Sequence, residues 1–124
     1  MNFITNFLAI QNQFRVMHWQ TQKKVGSFAA HNAFGTAYEE LDPLIDDFIE
    51  IFQGKKGVIK GVNGFTIQLA NLDENPVAVV DECIRFLIDV IPQGLNESED
   101  TDLLNIRDEM LAILNQTKYR LDLR

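Results

Sequence analysis

Cysteine occurs once in the 124 residues, at Cys83, so an intrachain disulfide is excluded and no Cys-x-x-Cys pair exists to hold zinc. Its neighbours Val79, Val80, Ile84 and Leu87 mark it as a small buried hydrophobe. Basic residues are also short: 11 Lys and Arg against 18 Asp and Glu leave a net charge of −7. The lysines lie scattered at Lys23–Lys24, Lys55–Lys56, Lys60 and Lys118. Nucleic-acid binding needs a basic face, so no DNA binding is expected. No apolar run is long enough to span a bilayer. The start lacks the basic region and small-residue cleavage site of a secretory signal, which makes a cytoplasmic location the expectation. Glycine-rich phosphate loops and a nucleophile elbow are missing. So are the Glu-x-x-His pairs of internal di-iron sites.

What is present is ordinary globular material, 46% hydrophobic and 23% charged, of a size that makes one domain over residues 1–124. Phe3, Phe7, Ile10, Phe14 and Met17 recur at alternating steps of four and three, which predicts a helix from Asn2 to about Gln22. Lys23-Lys24-Val25-Gly26 ends it, and Ser27 is placed to cap the next helix. That second helix runs from Phe28 to about Phe52 on a stripe of Phe34, Tyr38, Leu41, Ile45, Phe48 and Phe52. Pro43 lies in its interior, and because the stripe stays in phase across it the expectation is a kink rather than a break.

Gln53 to Gly64, with four glycines, reads as a connector, and Phe65 to Ala70 as a short helix or an ordered turn. The third helix opens with Asn75 as N-cap and Pro76 at its first position, carries Val77, Val80, Ile84, Leu87 and Ile91, and closes at Pro92 and Gly94. An acidic turn from Asn96 to Thr101 leads into the last helix, from about Asp102 onward, with Leu103, Ile106, Met110, Ile113 and Thr117 on one side. Four amphipathic helices with one long middle connection predict an all-α, four-helix bundle with a ferritin-like crossover between the second and third helices.

Histidine is scarce: there are two, His18 near the end of the first helix and His31 near the start of the second. If these helices are antiparallel neighbours, both imidazoles stand at one end of the fold. His31 also continues the apolar stripe three residues before Phe34, so a hydrogen-bonded core histidine is the plain alternative. The second helix carries Glu39, Asp42, Asp46 and Glu50 on one flank. Asp46 and Glu50 are four apart and face the same way, a carboxylate pair suited, with imidazole, to iron or another divalent transition metal. The plain alternative is a solvated acidic face. His31 and Asp46 are fifteen residues apart, about 22 Å along a helix at roughly 1.5 Å per residue, too far to share an ion within one chain. A twofold partner with its second helix running antiparallel brings His31 of one chain beside Asp46 and Glu50 of the other.

These residues resemble the Dps-type mini-ferritins, a branch of the ferritin-like superfamily. Carrying the resemblance are His18-Trp19, His31, the run Tyr38-Glu39-Glu40-Leu41-Asp42, and Asp46 with Glu50. The spacing from His31 through Asp46 to Glu50 matches that family, while the gap from His18 to His31 is one residue longer. The resemblance implies a ferroxidase site at a twofold subunit contact, with His18 and His31 from one chain and Asp46 and Glu50 from its partner. Iron(II) is then the substrate, oxidised by peroxide or oxygen and stored as a ferric mineral inside a spherical homo-oligomer, a dodecameric cage among its forms. Gly35 stands where the family carries an acid four residues after the second histidine, Pro43 is unusual in this helix, and the basic N-terminal tail many members use on DNA is not expected here. These departures motivate the alternative of a non-catalytic ferritin-like assembly protein with a degenerate metal site, for example a phage virion component, which places the chain in an infected cell or a virion.

Overall fold

The computed structural model describes residues 3–22, 28–72 and 75–123, and among these the chain is all-helical with no strand. The four α-helices are α1 (Phe3–Gln20), α2 (Phe28–Lys56), α3 (Pro76–Arg85) and α4 (Thr101–Leu121). Every residue of the first stripe, Phe3, Phe7, Ile10, Phe14 and Met17, is buried, as are Phe34, Leu41, Ile45 and Phe48 of the second. Phe3 meets Phe52 at 5.4 Å between ring centroids, Phe7 meets Phe48 at 5.1 Å and Phe14 meets Phe34 at 6.0 Å. Residue numbers rise along α1 as they fall along α2, so the two helices are antiparallel. Phe86 from the turn after α3 closes the same cluster, edge-on to Phe7 at 5.3 Å. Edge-to-face rings of this kind add about 0.5–1.5 kcal/mol each beyond the area they bury.

Pro43 does not interrupt α2. It is exposed, and so is Glu39, whose carbonyl loses its partner to the missing N–H, so water can take the place of the lost bond. The helix extends one turn past Phe52, to Lys56, and stops where Gly57 takes a φ of 94° and its N–H reaches the Gln53 carbonyl at 2.9 Å. The Ser27 cap and the Lys23–Gly26 terminator lie outside the described residues.

A salt-bridged corner holds the extra turn. Lys55 lies 2.9 Å from Asp100 and 2.8 Å from Asp102, Lys56 lies 3.1 Å from Asp100, and Lys55 also donates to the Glu99 carbonyl at 2.8 Å. The Asn96 N–H and both lysines hold the Asp100 carboxyl well below the usual carboxylate range. The cations sit at the C-terminus of α2 and the anions at the N-terminus of α4, the signs each helix dipole favours.

The segment from Gly57 to Leu72 forms no helix, so of the short helix or ordered turn expected over Phe65–Ala70 the helix is absent. Its end, from Ala70 to Leu72, is bonded to α1 instead. The Gln13 amide donates to the Ala70 carbonyl and accepts from the Ala70 N–H, both at 2.7 Å, and Gln20 accepts from the Leu72 N–H and donates to Asn71 at 2.8 Å. A backbone whose groups are satisfied by side chains does not need its own helix. α3 begins at Pro76 as expected, but Asn75 makes no side-chain cap bond. It passes into a π turn at Phe86–Val90 and a 3-10 turn at Ile91–Gly94. In the π turn the Ile91 N–H bonds back to the Phe86 carbonyl. The next residue, Pro92, has no N–H to offer Leu87, and Arg107 from α4 donates to that carbonyl at 3.2 Å. Lys118 near the end of α4 pairs with Asp81 of α3 at 2.8 Å, and α4 runs from the Lys55 corner to this contact.

Candidate functional site

His18 and His31 come together at the end of the α1–α2 pair remote from the Lys55 corner. Their rings stack with centroids 3.9 Å apart and planes 24° apart. Antiparallel pairing accounts for the meeting: the last turn of α1 must lie beside the first turn of α2. Hydrogen bonds fix which ring nitrogen carries the proton. His18 Nδ1 lies 2.8 Å from the His31 carbonyl oxygen, which can only accept, so His18 Nδ1 donates. The Thr21 hydroxyl donates to the His18 carbonyl at 2.7 Å. His31 Nδ1 lies 2.8 Å from the Thr21 oxygen and 3.2 Å from the His18 carbonyl, and therefore also donates. In the neutral rings both Nε2 atoms then keep their lone pairs. Metal-ligating histidines show the same arrangement, with the second ring nitrogen given to a carbonyl or similar acceptor.

Tyr38 stands edge-on to His18 at 5.5 Å, and the Arg15 guanidinium lies 4.8 Å over the Tyr38 ring while pairing with Asp42 at 3.1 Å. Asp42 is thus committed to α1, although its Oδ1 is buried with no hydrogen-bond partner. Beneath the histidines, Gly35 of α2 faces the His18 ring so closely that a Cβ there would lie 2.9 Å from His18 Cε1 and 3.0 Å from Nδ1.

Asp46 and Glu50 lie exposed on α2 and the chain brings neither to the histidines. Among the described residues no group of three or more His, Cys, Asp or Glu side chains could hold a metal within one chain. Thr21, and the places of Tyr38 and Gly35 against the His18 ring, escaped the sequence reading. Thr21 carries a signal only once the loop geometry is known, because its hydroxyl links the α1 terminus to a residue ten positions on. Cys83 is buried, and burial pushes its thiol up to about 12, leaving it an inert core residue. No described helix is long and apolar enough to cross a membrane.

No curated protein and no solved structure matches the chain. A family model described as a family of unknown function, DUF5856, matches residues 18–121, a span that contains all four candidate ligands. With that match covering most of the chain, the protein belongs to the DUF5856 family.

Proposed function

We propose that the protein is a Dps-like mini-ferritin that binds and oxidises iron(II) at a site shared between two chains. The single observation that carries this reading is the imidazole pair: His18 and His31 each give Nδ1 to an oxygen acceptor and keep Nε2 for a metal. The chain supplies the remaining donors, Asp46 and Glu50, on an exposed face too distant to reach its own histidines. A twofold contact with α2 helices antiparallel sets the partner subunit's Asp46 and Glu50 against this histidine pair, giving two nitrogens and two carboxylates for a divalent iron ion. The helix directions favour the ferritin-like arrangement. α1 and α2 are antiparallel, and the 57–72 segment is bonded back along α1. α3 then runs from that end toward the Phe3–Phe86 cluster, and α4 returns. These directions support a four-helix bundle with its long crossover between α2 and α3.

Anaerobic titration with iron(II) followed by peroxide tests the proposal. Wild-type protein is expected to give an oxidation signal that His31→Ala lacks, in a homo-oligomer with twofold contacts. A wild-type signal no larger than the variant's sinks it. The second reading, a non-catalytic assembly protein, is favoured by Trp19 and Phe28, 62% and 78% exposed beside the histidine end. It predicts a defined oligomer whose mass by light scattering is unchanged by a chelator, and dissociation on metal removal counts against it.

A further inference from the structure

We infer that Gly35 is a positioning residue, the seat of the His18 imidazole, and not a vacancy where a metal ligand is missing. The inference rests on the metal-site reading above and changes what position 35 means within it. His18 reaches its Nδ1 bond to the His31 carbonyl, 2.8 Å away, only by lying against the α2 backbone at Gly35. A Cβ at 35 would sit 2.9 Å from Cε1 and 3.0 Å from Nδ1, closer than packed carbon atoms tolerate. Relief by rotating His18 is not free. The ring is bonded on one side, stacked on His31 at 3.9 Å and flanked by Tyr38 at 5.5 Å, so turning it away breaks the bond and the stack together. Glycine in a helix interior carries a conformational cost relative to alanine. Here that cost secures close approach between the α1 terminus and α2. A carboxylate at 35 therefore expels the ligand it was meant to join.

The test uses the full chain with substitutions at 35 and 18. Gly35→Ala is expected to lower the thermal midpoint when His18 is present and to raise it in a His18→Ala background, where the space is free and only helix propensity remains. Nitrogen-15 spectra of the wild-type histidines are expected to show Nδ1-protonated rings, with the His18 signal displaced in Gly35→Ala and the His31 ring still present. Zinc titration is expected to show Gly35→Asp binding at least tenfold more weakly than wild type. Circular dichroism confirms that each variant is helical, and Gly35→Ala carries the test alone if Gly35→Asp does not fold. Tighter zinc binding by Gly35→Asp, or a Gly35→Ala effect indifferent to residue 18, overturns the inference. If wild-type protein binds neither zinc nor iron while the coupling and the histidine signals hold, the proposed function fails and the seat stands.

Discussion

The two ends of the α1–α2 pair are built on one helical stripe and closed in opposite ways. At one end Phe3, Phe7, Phe48, Phe52 and Phe86 interlock, and Lys55, Lys56, Asp100 and Asp102 fasten the rim. At the other, the same helices meet through two imidazoles, a threonine hydroxyl and a glycine. The first end buries rings that need nothing but contact. The second contains neutral imidazoles that give Nδ1 to oxygen acceptors and each keep a lone pair on Nε2. Stability is concentrated where the side chains are apolar, and the proposed chemistry where imidazole lone pairs remain.

That contrast orders the expected effects of mutation. Phe7→Ala removes a fully buried ring that packs on the rings of Phe48 and Phe86 and should cost about 3–5 kcal/mol in urea unfolding. Asp100→Asn should also lower the urea midpoint, with a defined pH dependence. Because the folded carboxyl is depressed by the Asn96 N–H and the two lysines, its contribution is complete above the unfolded value of about 4 and is lost as the pH falls below it. The gap between wild type and variant should hold from neutral pH down to about 5 and narrow below about 4, and a gap that widens in acid contradicts the assignment. His18→Ala, removing a half-buried ring and one hydrogen bond, should cost only about 1 kcal/mol. Asp46→Asn and Glu50→Gln, both exposed, should change stability by less than about 0.5 kcal/mol while abolishing iron(II) oxidation. Loss of activity with unchanged stability is the signature of ligands supplied across the proposed twofold contact; if these two variants oxidise iron normally, the carboxylates have no part in the site.

Local periodicity was enough to read the helices that bury one face. The α1 stripe, the α2 stripe across Pro43 and the Pro76 start are each visible within a few residues, and each is found where it was expected. Long-range partners were not legible. Gly54-Lys55-Lys56 looks like the beginning of a linker until Asp100, over forty residues on, is known to receive the lysines. Ile67 and Leu69 sit in a stretch short enough to be a helix, but its end is held by α1, through Gln13 at Ala70 and Gln20 at Leu72 just beyond. The π turn follows from the placement of Pro92 relative to an arginine in another helix. At the candidate site the two histidines and the acids were legible as residue types. Their proton positions were not, because Thr21 and the two carbonyls that set them belong to helix ends that meet only in three dimensions.

The Gln13 amide has a consequence for how freely this chain can vary. It engages Ala70 only through main-chain N–H and C=O, groups that nearly every residue type possesses. The connector is thus recognised by the course of its backbone, and its side chains, several of them exposed, are open to drift. Two glutamines on α1 fix the end of that segment, at Ala70 to Leu72. Substitutions along the connector can then leave its route between the helices unchanged, provided that an amide of the right length remains at position 13.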